Sequence, residues 1–289
     1  MLTRGLKRKL KIIKQCLLRL TVLLLTFLVC CYIYAAKIEP NWVEVVSIDM
    51  SIPSLNPVFD GFKLVQISDI HASYAMPQRR LDRFIRIVNR QQPDAIAITG
   101  DIITKHKNFN AEKLEQTLSK LMAKSGTLAV LGNHDHWPAK IVKLNKLLVN
   151  SNIANLNNEV YLIKRDKQTL AIAGIDDPYW GHPDLDRVIQ NLPSESPAIL
   201  LVHEPDYIGK SAKTHRFALQ LSGHSHGGQI RLPLSRPLAL PTGGKKYFIG
   251  LNKRENTSVY TNRGLGMTTL PLRFNSRPEI TVFTLHPQE

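Results

Sequence analysis

Beyond residue 31 this chain of 289 residues contains no cysteine, its three (Cys16, Cys30 and Cys31) all falling near the N-terminus. That absence excludes a disulfide framework, a thiol nucleophile and a cysteine-rich zinc site from everything that follows. Aromatic residues make up only 7%, and no long basic stripe interleaves with them. The stacking platform of a nucleic-acid binder is therefore missing. No fixed-period repeat or low-complexity tract is present, and 43% hydrophobic with 21% charged residues is ordinary for a globular chain. Acidic residues are absent from positions 1–19, where seven Lys and Arg lie, beginning at Arg4 and ending at Arg19. Almost half of the formal charge of +15 thus sits in one short segment.

Behind it runs LTVLLLTFLVCCYIYAA, residues 20–36, without a charge. As a helix this stretch would be roughly 25 Å long, near the lower limit for a hydrocarbon core of about 30 Å. No later segment is comparable, so the sequence predicts a single pass. A secretory signal has the same order of charge and apolar run, but Tyr34 stands where a small residue is wanted three positions before a cut after Ala36. A retained anchor is the better reading. Tyr32, Tyr34 and Trp42 suit its interfacial belt. The expected organisation is a basic tail at 1–19, a transmembrane anchor at 20–36 and one large domain at 38–289. Only Lys37 follows the span closely, so the positive-inside rule puts the N-terminus in the cytoplasm and the domain outside. A short monotopic anchor in the cytoplasmic leaflet would instead leave the domain inside.

Apolar runs of strand length occur at 43–48, 63–68, 95–99, 127–131, 169–175, 198–202 and 217–221, with helical patterns at 79–90, 111–122 and 139–149. Strands alternating with helices argue for a layered α/β architecture. The C-terminal third, with several Pro and Gly before short runs at 258–261 and 279–285, reads as a second sheet.

Polar groups gather where the strands end. The five apolar runs closest to them lead into Asp69-Ile70-His71, Gly100-Asp101, Gly132-Asn133-His134-Asp135, His203-Glu204 and Gly223-His224-Ser225-His226. Open α/β sheets place ligands at the C-terminal ends of their strands. Singly, an Asp or His after a strand is usually a turn or cap residue. Together they form an oxygen and nitrogen donor set suited to divalent transition metals and hold five of the ten histidines. Asp69-x-His71 and His224-x-His226 each put two donors on the same side of an extended segment, so a pair can address neighbouring positions of one centre. Two cations about 3.5 to 4 Å apart on such a set would acidify a bridging water and neutralise phosphoryl oxygens during in-line displacement.

In these five blocks, D-x-H, G-D, G-N-H-[DE], H and G-H-x-H, the chain resembles the calcineurin-like dinuclear metallophosphoesterases. The resemblance implies a four-layer α/β sandwich, two mixed β-sheets flanked by helices, preceded here by the N-terminal transmembrane helix. It implies one metal on Asp69, His71, Asp101 and His226, and a second on Asp101, Asn133, His203 and His224, with Asp101 bridging. His134 would give a proton or hydrogen bond to the leaving oxygen, and Asp135 would fix its tautomer. The two divalent ions could be Mn, Fe, Zn or Co, because Asp, Asn and His suit all four.

Gly227-Gly228-Gln229, Gly264-Leu265-Gly266, Pro271, Arg273, Pro278 and Glu279-Ile280 further resemble short bacterial phosphoesterases carrying a membrane or export segment. That subgroup includes phosphodiesterases and a pyrophosphatase of lipid A synthesis acting on UDP-2,3-diacylglucosamine. It implies a single-pass protein of the bacterial inner membrane whose partners are the bilayer and a lipid-linked phosphate substrate. No obligatory protein partner follows from it. Arg263, Arg273 and Arg277 could approach a phosphate, and His136 could line the pocket. The competing readings are a general phosphodiesterase or nuclease of the envelope, a protein phosphatase and a noncatalytic scaffold. The intact donor set argues against the scaffold, and no peptide groove is identifiable for a protein phosphatase.

Overall fold

Two six-stranded sheets packed face to face, with helices on both outer faces, organise the chain beyond the N-terminal helix; the computed structural model describes residues 4–106, 108–233, 235–237 and 239–288. Residues 1–3 of the basic segment lie outside these. The long helix α1 (Arg4–Ile33) takes in the basic positions from Arg4 onward together with most of the apolar run. Nothing after Gly5 in that stretch breaks a helix, so the two parts expected separately form one rod. At about 45 Å it exceeds a hydrocarbon core of about 30 Å, and it is long and apolar enough to cross a membrane. A π-helical turn (Tyr34–Ile38) and a 3₁₀ turn (Glu39–Asn41) follow.

The domain then reads β1 (Glu44–Ile52), β2 (Phe62–Ile67), α2 (Gln78–Arg90), β3 (Ala95–Thr99), α3 (Ala111–Leu118), β4 (Thr127–Val130), α4 (Pro138–Asn150), β5 (Ile153–Asn155), β6 (Val160–Arg165), β7 (Gln168–Gly174), α5 (Leu185–Asn191), β8 (Ala198–Leu201), α6 (Ile208–Ser211), β9 (Leu219–Ser222), β10 (Gly250–Arg254), β11 (Thr257–Thr261) and β12 (Glu279–Pro287). The first sheet has the order β1-β12-β2-β3-β4-β5 and the second β10-β11-β9-β8-β7-β6. Both are mixed: β12 runs antiparallel to β2 and parallel to β1, while β6 and β10 add antiparallel edges to a parallel centre. The central strands are buried on both faces, which is why they read as continuous apolar runs.

Three apolar layers result. Phe62, Leu64, Leu128, Ile172, Leu201 and Phe283 interdigitate between the sheets. Leu81, Phe84, Ile85 and Val88 of α2, with Leu144 and Leu148 of α4, cover the first sheet. Val188 covers the second with Tyr207 and Phe217. Each fully buried side chain of this kind contributes about 1.5 to 3 kcal/mol. The C-terminal residues depart from the expected second sheet. β10 and β11 extend the sheet that β6 to β9 had begun, but β12 inserts into the first sheet beside β2. Its alternating pattern cannot tell which sheet has the vacant position.

Candidate active site

The five segments converge. β2, β3 and β4 of one sheet and β8 and β9 of the other point their C-terminal ends at one place, and the Gln66 amide beneath joins the sheets by donating to Thr99 Oγ1 and the Ser222 carbonyl, both at 2.9 Å. The donors are not on extended backbone, which corrects the period-two reading: Asp69, His71, Asp101, His224 and His226 all have φ between 48° and 71°. Left-handed backbone is costly for such residues and persists where surrounding structure over-determines it, commonly at functional sites. Here the turn of chain at each strand end folds the donors inward. Gly223 makes room, since a Cβ there would lie 2.2 Å from Asp69 Oδ2, and at Gly132 one would lie 2.5 Å from Asp101 Oδ1.

Asp101 occupies the middle. Its Oδ2 lies 3.4 Å from His71 Nε2 and 3.3 Å from His203 Nε2, while its Oδ1 accepts from the His134 N–H at 2.8 Å. Asp69, His71 and His226 form one group of donor atoms within 4.8 Å of one another, and Asp101, His203 and His224 form another. His71 Nε2 and His226 Nε2 stand 3.1 Å apart. Asn133 lines the same cavity as Asp101 and His224.

These residues fit divalent cations on their own chemistry. His203 Nδ1 lies 2.7 Å from the Thr99 carbonyl and His224 Nε2 lies 2.9 Å from that of Thr242. Each ring donates there, which leaves His224 Nδ1 for the centre. Burial would lower His203, but Asp101 raises it well above the usual imidazole range, so its Nε2 holds a proton that a cation would displace. His203 Nε2 and Asn133 Oδ1 are both buried without a hydrogen-bond partner. Burial pushes Asp69 up to about 6, with the Asp101 charge adding to the rise, and pushes His71 down to about 3 and His224 down to about 4. Burial would raise Asp101 too, but His203 and His134 hold it well below the usual carboxylate range. Buried anions facing imidazole lone pairs form a cluster that bound cations relieve.

His134 lines a cavity of about 610 Å³ beside this cluster. The expected role of Asp135 is corrected: its carboxylate accepts from the backbone N–H groups of Ile102, Ile103 and Gly132, and so braces the loops. The group that sets the His134 ring is the Lys105 N–H, which donates to Nδ1 at 3.2 Å and leaves the proton on Nε2. Nothing in the sequence marks Lys105, or Thr242, for these backbone contacts.

The expected phosphate contacts lie elsewhere. Arg273 is fully buried and donates to the carbonyls of Arg263, Gly264, Gly266 and Ser276, its Nη2 lying 3.4 Å from His226 Nδ1. It supports the loop under His226 and has no face toward the cavity. Arg263 pairs with Glu44 and Glu279, and Arg277 with Glu44. His136 Nε2 lies 2.7 Å from Asp176 Oδ1 and does not line the cavity.

The cavity is also lined by Ile230, Ala239, Leu240 and Leu270, and Ile230 links it to the turn that follows the membrane helix. Ile230 bridges to Phe274, whose ring meets Tyr34 edge-on at 6.0 Å. Arg273 N–H donates to the Ala35 carbonyl at 2.9 Å, and the Glu39 carboxylate accepts from the N–H groups of Asn275 and Ser276.

Comparison with known proteins agrees with this geometry. The chain is 39% identical over 256 residues to metallophosphoesterase YkuE of Bacillus subtilis, covering 88% of this chain and 89% of that protein. It is 29% identical to phosphodiesterase YaeI of Escherichia coli, covering 87% and 92%. It is 28% identical to UDP-2,3-diacylglucosamine pyrophosphatase LpxG of Chlamydia muridarum, again covering 87% and 92%. The calcineurin-like phosphoesterase profile matches residues 62–228, over half the chain and all five donor segments, and the chain therefore belongs to the calcineurin-like phosphoesterases as a metal-dependent phosphoester hydrolase.

Proposed function

We propose that this chain cleaves a phosphodiester or pyrophosphate bond of a lipid-linked substrate at the membrane: UDP-2,3-diacylglucosamine is the leading example for a cytoplasmic domain, and another lipid-borne diester for an external one. The supporting observation is that one cavity is lined both by the polar groups of Asp101, Asn133, His134 and His224 and by the apolar side chains of Ile230, Leu240 and Leu270. Ile230 of its lining is joined through Phe274 to Tyr34 in the turn that follows α1, which relates the cavity to the membrane end of the chain, where an amphiphilic substrate would arrive. The relative LpxG carries the name of such an activity.

Asp69, His71, Asp101 and His226 would hold one divalent ion and Asp101, Asn133, His203 and His224 a second. When bound, such ions supply charge neutralisation at the phosphoryl oxygens and a water acidic enough to attack at neutral pH. The remaining work falls to the chain. Asp101 keeps the two donor groups together, and the carbonyls of Thr99 and Thr242 hold two imidazoles by one ring nitrogen each, leaving the other for the ion. Burial, with His203 adding to it, pushes the pKa of His134 down against the pull of Asp101, so its ring is neutral with a proton on Nε2. That proton is available to the leaving oxygen.

The detergent-solubilised full chain is expected to hydrolyse acylated UDP-glucosamine with kcat/KM at least tenfold above the deacylated analogue, a difference of about 1.4 kcal/mol. One or two methylene groups against the apolar wall, at about 0.8 kcal/mol each, supply that. Equal rates would discard the lipid reading and leave a general phosphodiesterase.

The basic segment of α1 supports a cytoplasmic N-terminus and an external domain in a bacterial inner membrane. Added protease should then digest the domain in sealed, right-side-out vesicles. A protected domain would reverse this topology and favour a nucleotide-linked substrate, whereas digestion favours another lipid-borne diester.

A further inference from the structure

Arg79, Arg80, Arg83 and Arg86 of α2 surround a cavity of about 460 Å³ together with Asn41 and Pro77. None of these residues lines the cavity beside the Asp and His cluster. Positions 79, 83 and 86 share one face of the helix, where like charges repel. The one acid on α2, Asp82, is engaged with Lys120 at 2.8 Å. Among the described residues no carboxylate lies within ion-pair distance of the four arginines. The cluster is also more than a solvated helix face. Arg80 Nε donates to Asn41 Oδ1 at 2.8 Å, Arg83 Nη2 donates to the Asn41 carbonyl, and Arg83 Nε is buried without a partner. Pro77, the N-cap of α2, has no side-chain cap and also lines the hollow, so the positive end of the helix dipole lies close to it.

Position decides what anion belongs there. Asn41 ends the 3₁₀ turn that follows the membrane helix and is bonded back to the Lys37 carbonyl at 2.6 Å. Tyr32, Ile38 and Trp42 beside it are exposed, a belt of the kind found at the headgroup level. Uncompensated guanidinium groups fixed to this turn lie where phosphodiester anions of the bilayer are concentrated, and Arg forks match phosphate oxygens.

We propose that the hollow between Arg79, Arg80, Arg83, Arg86 and Asn41 is a binding site for the headgroup of an anionic phospholipid in the leaflet from which the membrane helix emerges. The site depends on α1 spanning or entering the bilayer and is independent of the substrate. A headgroup held there joins α2 to the bilayer as a second attachment, so the domain and the turn at residues 34–41, which are already hydrogen-bonded together, are held against the membrane surface as one unit.

Trp42 provides the reporter. The full chain with Trp137→Phe and Trp180→Phe, which leaves Trp42 as the sole tryptophan, is reconstituted into phosphatidylcholine nanodiscs containing a fixed fraction of brominated phosphatidylglycerol or brominated phosphatidylcholine. Quenching of Trp42 is expected to be at least threefold greater with the brominated anionic lipid. The ratio should fall to near one in Arg79→Gln/Arg83→Gln/Arg86→Gln, and partway in Arg79→Gln/Arg86→Gln, where both replaced side chains are exposed and folding is not at stake. Equal quenching in the parent would overturn the proposal. So would a preference that survives both variants, which would assign it to Lys37 or Arg277, and so would a preference abolished by millimolar inorganic phosphate, which would mark a site for the free anion.

Discussion

Asp101→Asn is expected to release metal from both positions and to lower phosphodiester hydrolysis by more than roughly 10³-fold, because removing even one charge-stabilising donor from an active site costs about 10²- to 10³-fold. The Asp101 carboxylate is the shared element, 3.4 Å from His71 Nε2 and 3.3 Å from His203 Nε2. Asn keeps an oxygen to accept the His134 N–H, so the loop is retained, but it loses the charge and turns N–H groups toward imidazole nitrogens. The change therefore separates electrostatics from folding. Metal analysis of the purified full chain is the direct measurement. Two equivalents retained at wild-type affinity would refute the bridging role.

His134→Ala has the second-largest expected effect and a different signature. Metal content should be preserved, because His134 Nδ1 accepts the Lys105 N–H and, although the ring also stands within 4.8 Å of donor atoms of His71 and Asp101, each expected metal set has four other donors. Turnover should fall by roughly 10²- to 10⁴-fold on a diester with an alkyl leaving group, the usual range for general acid catalysis. A nitrophenyl leaving group departs as a stable anion and needs little help, so its rate should fall much less. An equal fall on both substrates would make His134 a structural residue, as would loss of metal.

The layered fold was legible because parallel strands buried on both faces must be apolar throughout, and their polar ends then stand out against them. Asp69, Asp101, Asn133, His203 and His224 were all found from this contrast. What lay beyond reach was conformation at those ends. The D-x-H spacing implies alternation along an extended strand, whereas Asp69 and His71 both adopt left-handed backbone that non-glycine residues seldom occupy. Backbone partners were equally hidden: Lys105 and Thr242 act through their main-chain groups, and no side-chain identity announces that. Arg273 reads in the sequence as a phosphate contact because an arginine is seldom buried away from a ligand or solvent. Four carbonyls from a folded-back loop satisfy it, and that loop exists only in three dimensions. The helix expected at 111–122 ends at Leu118, where Ser119 N–H closes the last turn on Glu115.

The place of β12 has a consequence for biosynthesis. β1 follows the membrane helix directly and pairs along its whole length with β12 alone, from Glu44 with Glu279 to Ile52 with Pro287. β2 likewise has β12 on one side. The strand made first must therefore wait for the strand made last, across more than two hundred residues, and contacts of such separation form slowly. During translation the nascent chain is already held at the bilayer by α1 while its first sheet stays open between β1 and β2. The first sheet therefore closes only after residues 279–287 have been made, and loss of that strand would leave a tethered chain with two unpaired strand edges, a natural target for membrane-associated chaperones and proteases.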